Sequence, residues 1–171
     1  DCRATGVAYS AAVIRGLTWA GISVFDIGMT LVGTFYWSQY YLKAHGAIYV
    51  SASHNPPEYN GFKIANGYSE TLVSDGVQEL RRMIEQEDFI AGVQPGSVEP
   101  KDIKEAYYED LLQRLSVSKK FKVLIDPGNT TAGAWAPELL RRAGCEVIEK
   151  NTTIDSSFPL GVADPTEQKV A

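Results

Sequence analysis

The sequence predicts an α/β protein made of repeated three-layer α/β/α domains with mostly parallel mixed sheets, the first domain nearly complete and the second partial. Three observations predict it. Helically spaced apolar residues alternate with short β-rich runs along the chain. A plan of Asp-led loop, helix, Ala-Gly turn and strand occurs twice, first from Asp1 and again from Asp126. The continuous apolar run Ala47–Val50 has the pattern of a strand buried on both faces.

The elements follow in order. "AAVIRGLTWAGISVFDIG" reads as an amphipathic helix, a turn at Ala20-Gly21 and a strand over Ser23–Ile27. "APELLRRAGCEVIEKN" repeats the plan, with Ala143-Gly144 at the matching turn. Asp1 lies 20 residues before Gly21 and Asp126 lies 18 before Gly144. Each glycine suits a left-handed helix C-cap. Between the repeats, the pattern predicts a helix over Phe35–His45, the Ala47–Val50 strand and a short strand over Phe62–Ala65. A helix to about Glu87 follows, capped by Ser74 or Asp75. "AGVQPGSVEP" reads as a surface loop. Asp102 with Glu105 predicts a capped helix in which Ile103, Tyr107, Leu111 and Leu115 recur every four residues. "FKVLID" from Phe121 is a strand and "PGNTTAG" its loop. A boundary near Lys119 divides the chain into residues 1–119 and 120–171. The opening "DCRATG" and the closing "ADPTEQKVA" both read as cut ends, so the first domain is expected to lack its first strand and the second to be truncated.

Of 171 residues, 44% are hydrophobic and 22% charged, the balance of a soluble globular protein. The net charge of −5 argues against nucleic acid and acidic lipid as partners. With no leader and no long apolar span, the expectation is a cytoplasmic protein without membrane contact. The sequons at Asn129 and Asn151 are then chance, and Cys145 reads as a small buried thiol rather than half of a disulfide with Cys2.

The chemistry concentrates in "SASHNPPEYNGFK", Ser51–Lys63, which follows the buried-strand run. Ligands of parallel α/β sheets gather at the carboxyl ends of strands. Pro56 and Pro57 fix two φ angles and restrict Asn55 to extended geometry, and Gly61 permits a close approach. A loop set in this way suits a site that holds a group in place. Ser53 and Ser51 both sit near the strand end and both could supply a hydroxyl. Arg3 and Asp126 occupy matching loops of the two repeats, where they face a cleft or tie the loops down.

This thirteen-residue string resembles the active-site serine loop of the α-D-phosphohexomutases, the phosphoglucomutase/phosphomannomutase family. "DCR" resembles the end of that family's first strand, "VLIDPGN" with "APELLRRAGCEVI" the start of its second domain, and "FPLGVADPTE" the segment leading toward its metal loop. The resemblance implies that Ser53 is the phosphoserine that carries phosphate between the 1- and 6-positions of a hexose through a bisphosphorylated sugar. It implies acid/base or electrostatic work for Lys63, and positioning of the phosphoserine for His54 and Asn55. Arg3 is assigned with Asn55 to substrate or phosphate positioning. Of the two serines, the match favours Ser53, leaving Ser51 as a strand-end hydroxyl bonded to backbone.

The family uses Mg²⁺, held by an Asp-Gly-Asp-x-Asp-Arg loop and an oxygen of the phosphoserine. That string is absent here, so of the metal ligands only Ser53, through its phosphate, belongs to this chain. Implied partners are a phosphorylated hexose, a hexose 1,6-bisphosphate as activator and intermediate, and the remaining domains of the same enzyme. The chain alone is expected to be inactive. Phosphoglucosamine mutase and a non-catalytic α/β binding module are the alternatives. Two departures from the family pattern stand out: Val32-Gly33 in place of Thr-Pro, and Gly128-Asn129-Thr130 in place of Gly-Asn-Gly.

Overall fold

The computed structural model describes residues 1–115 and 117–161. Its first helix, α1, spans Gly6–Trp19 and starts several residues before the apolar spacing becomes clear at Ala11. It ends as the sequence predicts. Gly21 takes φ +81°, Gly21 N donates to Thr18 O and Ile22 N to Leu17 O, the paired bonds of a Schellman cap. Strand β1 covers Val24–Asp26. Helix α2 spans Val32–Tyr41, shifted toward the N-terminus from the expected Phe35–His45. The shift has a local cause. Lys43 adopts φ +53° and Ala44 N bonds back to Gln39 O, so the chain leaves the helix before Gly46 is reached. Val32-Gly33 form the first turn of this helix.

Strand β2 (Gly46–Val50) pairs antiparallel with β3 (Phe62–Asn66), which pairs antiparallel with the short β4 (Glu70–Thr71). The expectation that Ala47–Val50 is buried on both faces is corrected. Only Val50 is buried and Ala47 to Tyr49 are half-buried, because β2 lies at the edge of its three-stranded sheet among the described residues. Helix α3 (Asp75–Glu85) ends short of Glu87. Ser74 precedes it at φ +46° without a side-chain capping bond, so the expected cap does not form.

The presumed surface loop is also corrected. Its end, Val98–Pro100, is strand β5, parallel to β1 with Val24 opposite Val98. Helix α4 spans Lys104–Arg114. The capping box is not made: Asp102 Oδ1 accepts from Lys104 N at 3.0 Å, but Glu105 turns to Arg142 instead. Strand β6 (Lys122–Ile125), a 3₁₀ turn over Thr131–Ala134, helix α5 (Ala136–Arg142) and strand β7 (Glu146–Glu149) complete a βαβ unit with parallel β6 and β7. Gly144 repeats the Schellman cap at φ +89°, with Cys145 N on Leu140 O. Cys145 is half-buried rather than buried, since β7 has one hydrogen-bonded neighbour among the described residues. The α/β class is as expected, and two of the three described sheets are parallel.

Helix α4 joins the two repeats. The buried Tyr108 hydroxyl donates to Trp135 O at 2.5 Å, and the two rings meet edge to face at 5.9 Å. On the other side Trp37 Nε1 donates to Asp110 Oδ2 at 3.0 Å. Among the described residues, no helix is long and apolar enough to cross a membrane.

Candidate active site

Ser53 lies past the carboxyl end of β2, exposed, on the wall of a cavity of about 570 Å³. The loop that carries it is closed at its base. Ser51 N donates to Gly61 O at 3.0 Å, extending the β2–β3 ladder one step beyond Val50 opposite Phe62. A Cβ on Gly61 would come within 3.3 Å of Ser51 O, so a larger residue there would push the two strands apart by a few tenths of an ångström. Two turns follow inside the loop, closed by Asn55 N to Ala52 O and Tyr59 N to Pro56 O.

Ser53 itself adopts φ +55°, in the left-handed region that ordinary residues avoid. Holding a serine there costs on the order of 1 kcal/mol or more, and such strain persists only where the surroundings over-determine it. Here both flanking peptide groups are bonded. Ser53 N donates to Ser51 Oγ at 3.0 Å, and Ser53 O accepts from Arg3 Nη2 at 3.0 Å. Ser51 is therefore an acceptor that shapes the loop, with its hydroxyl oxygen turned to backbone. Ser53 lines the cavity, and its Oγ has His54 Nδ1 at 3.3 Å as its side-chain neighbour.

Arg3 is the centre of the loop. It is 3% exposed. Nε donates to Asp1 Oδ2 at 3.2 Å, Nη1 to Pro56 O at 2.6 Å and Tyr59 O at 3.0 Å, and Nη2 to Ser53 O and to Asn55 O at 2.7 Å. A guanidinium has five N–H donors, and these bonds use all of them. Burial draws its pKa below the usual arginine value, yet arginine stays charged in proteins. Assigned above to substrate or phosphate positioning, Arg3 has every N–H engaged by Asp1 and the loop carbonyls. No short motif marks this role, because its partners are backbone carbonyls some fifty positions away.

Asn55 and Lys63 line the same cavity as Ser53, while Arg3 stands behind the loop. Lys63 is exposed, with Nζ 6.0 Å from the centre of the Tyr36 ring. Tyr49 lines the floor; its hydroxyl donates to Thr30 O at 2.8 Å, and burial pushes its pKa up to about 12, so the phenol stays neutral. The opposite wall comes from the second repeat. Thr130, Thr131 and Ala132 face the cavity, and so does Phe158, which carried no assigned role in the sequence. Thr130 takes φ −97°, an ordinary value, so replacing the family's second glycine costs nothing at that position.

Asp126, the counterpart of the Arg3 region, is tied into its own loop. It accepts from Asn151 Nδ2 at 2.9 Å and from Gly128 N at 3.1 Å, and pairs with Lys150 at 3.2 Å. Among the described residues, no group of three or more His, Cys, Asp or Glu side chains could hold a metal ion. Mg²⁺ needs several oxygen ligands, and Ser53 offers one. These residues alone do not make a magnesium site, and most of "FPLGVADPTE" beyond Gly161 lies outside the described residues.

Comparison with known proteins agrees with the loop. The model of the phosphoglucomutase/phosphomannomutase alpha/beta/alpha domain I matches residues 1–91, and that of domain II matches residues 105–171. The chain belongs to the phosphoglucomutase/phosphomannomutase family. It is 38% identical over 165 residues to a phosphomannomutase/phosphoglucomutase of Pseudomonas aeruginosa, covering 96% of this chain and 35% of that protein. It is 35% identical over 167 residues to a phosphoglucomutase of Neisseria gonorrhoeae, covering 98% and 36%. A solved structure of a family protein from Burkholderia thailandensis superposes with a TM-score of 0.86 at 31% identity, covering 96% of this chain and 37% of that one. The chain thus spans about a third of the length of the relatives it matches.

Proposed function

We propose that this chain is the phosphoryl-carrying part of a hexose-phosphate mutase that interconverts hexose 1- and 6-phosphates through a phosphoserine at Ser53 and a bisphosphorylated sugar. The carrying observation is the Ser53 geometry: an exposed hydroxyl on a cavity wall, at φ +55°, with both flanking peptides bonded. A hydroxyl that must accept and release a phosphoryl group in line gains from such fixed placement. Relatives named as phosphomannomutase/phosphoglucomutase support a hexose phosphate as substrate. A charged sugar phosphate does not cross a membrane unaided, so a cytoplasmic location goes with it.

The residues divide the work as follows. In the forward transfer the Ser53 O–P bond breaks, a bond forms from phosphorus to a sugar hydroxyl oxygen, and the proton of that hydroxyl passes to solvent. In the return step Ser53 Oγ attacks the phosphorus of the other phosphate, the bond from that phosphorus to the sugar oxygen breaks, and the sugar oxygen takes up a proton from solvent. His54, with Nδ1 at 3.3 Å, takes the Ser53 proton then and restores it in the forward step. Lys63 presents a cation to the transferring oxygens, and the Asn55 side chain borders the same space. The Mg²⁺ of the resemblance must take its remaining ligands from elsewhere. With this function goes a division of the chain near Lys119 into a carrier unit and the start of a second unit, α4 touching both.

The test is a coupled mutase assay of the full-length protein on mannose 1-phosphate, glucose 1-phosphate and glucosamine 1-phosphate, with mass spectrometry of the Ser53 peptide. Turnover of mannose or glucose 1-phosphate with phosphate on Ser53 is expected. Turnover of glucosamine 1-phosphate alone points to the phosphoglucosamine enzyme. No turnover and no phosphate on Ser53 overturns the proposal.

A further inference from the structure

We infer that Phe158 is a positioning residue for the phosphoryl carrier, acting from the second repeat through Arg3. The guanidinium of Arg3 lies over the Phe158 ring, with Cζ 5.1 Å from the ring centre. Both side chains are buried, Arg3 at 3% and Phe158 at 6% exposure. The edges of the guanidinium are saturated: four loop carbonyls and Asp1 take every N–H. Only its faces remain, and a cation face finds its best partner in an aromatic ring from which water is excluded. Phe158 supplies that ring while its own backbone sits at φ +50°. It is held there by Phe158 N on Asp155 O at 3.1 Å and Gly161 N on Phe158 O at 2.9 Å. A residue kept in the left-handed region by two bonded neighbours is placed by its segment.

The chain of contacts runs from the second repeat to the reacting hydroxyl. Phe158 covers Arg3, Arg3 Nη2 holds Ser53 O and Asn55 O, and those carbonyls fix the peptide that aims Ser53 Oγ. Removing the ring leaves the Arg3 bonds in place and opens one guanidinium face to water. The loop then loses its over-determination, and Ser53 spends more time at ordinary φ values from which its oxygen is misdirected. Because misplacement near 1 Å suffices to slow a positioned reaction about 100-fold, the effect is expected in turnover more than in substrate affinity.

The inference rests on the carrier role of Ser53, and the experiment separates the two. In the full-length protein, Phe158→Leu keeps apolar bulk without the ring and Phe158→Tyr keeps the ring. Two readouts are taken: kcat and KM for the hexose 1-phosphate on which the parent is active, and amide hydrogen exchange over residues 52–61. Phe158→Leu is expected to lower kcat roughly tenfold, as loss of a desolvated cation–ring contact converts, with KM within about twofold. Exchange over 52–61 rises in the same variant, and Phe158→Tyr stays near the parent in both readouts. If Phe158→Leu leaves exchange and kcat unchanged, or Phe158→Tyr is as impaired as Phe158→Leu, the inference is wrong. If the parent lacks mutase activity while exchange still rises in Phe158→Leu alone, the carrier reading has failed and the Phe158–Arg3 hold on the loop stands.

Discussion

Two strand-end loops of this molecule, Ser51–Gly61 after β2 and Asp126–Thr130 after β6, solve the same problem by different means. Both leave the carboxyl end of a strand and both hold a residue that is not glycine in the left-handed region, Ser53 at φ +55° and Asn129 at φ +63°. The first is gathered around one buried cation that reaches into the loop from the chain's third residue. The second is laced by neighbours. Asn129 N donates to Asn151 O at 2.8 Å, Asn129 Nδ2 to Thr153 O at 2.8 Å, and Asp155 N to Asn129 O at 2.9 Å. A single clamp leaves the tip of its loop free of side-chain obligations, which is what a reacting hydroxyl requires. A distributed lacing spends the side chains on the loop itself and tolerates the loss of any one.

The largest expected difference between the loops is chemical. In the full-length protein, Ser53→Ala should lower kcat by about 10³-fold or more if Ser53 is the proposed phosphoryl carrier. Its thermal midpoint should stay within a few degrees, because Ser53 Oγ makes no backbone bond among the described residues. Asn129→Ala should do the reverse, with activity near parental and lower stability. Comparable losses of kcat in the two variants would remove Ser53 from its role. Ser51→Ala, which deletes the acceptor for Ser53 N, belongs between them with a loss of roughly tenfold, the scale of one hydrogen bond.

Next in size is the clamp. Arg3→Met should destabilise by about 3–5 kcal/mol, because it removes the charged partner of Asp1 and leaves four partly buried carbonyls without their donor. Asn151→Ala should cost only about 1 kcal/mol, the scale of partly exposed hydrogen bonds. Urea unfolding of the two variants measures both, and equal costs would erase the distinction between clamp and lacing.

The smallest effect is on pH. Asp126 is held below its usual carboxyl value of 3.8 by bonds from Asn151 and Gly128 N, with Lys150 adding to them. A carboxyl lowered in the folded state contributes stability that is present above the unfolded value and is lost as pH falls through the folded one. Acid below about pH 3.8 should therefore loosen the second loop. Apart from Asp1, the partners of Arg3 are carbonyls, which do not titrate. Amide exchange at Gly128 should thus rise in acid before exchange at Asn55, and the opposite order would break the comparison.

How much of this was legible follows from the range of the interactions involved. Gly21 and Gly144 could be read as caps because a Schellman motif is written in adjacent residues, and both were found. The serine loop could be read because part of its restraint is local, written in Pro56, Pro57 and Gly61. Strand β5 could not, since Val98, Glu99 and Pro100 have no strand pattern of their own and become a strand by pairing with Val24–Asp26. The capping box at Asp102 and Glu105 failed because a tertiary partner, Arg142 at 2.7 Å, outbid the local backbone. Of the candidate site, Ser53, Asn55 and Lys63 share one cavity. The grip of Arg3 was hidden because carbonyl oxygens leave no trace in sequence. Phe158 was hidden because one aromatic among polar residues looks like any other.

The pairing of β1 with β5 joins residues 74 positions apart. Hairpin β2–β3 closes over residues 51–61 and can form as soon as it is made. The β1–β5 ladder must wait for Pro100. At a synthesis rate of about 5–20 residues per second, the wait after Asp26 is roughly 4–15 s. Through that interval Phe25 is without its β5 partner, and it sits beside α1, whose Val7 and Trp19 are exposed among the described residues. During translation the side of β1 that pairs with β5 therefore stays open until Pro100 is made. Slowing the ribosome between Asp26 and Pro100 would lengthen that exposure without changing a single residue of the product.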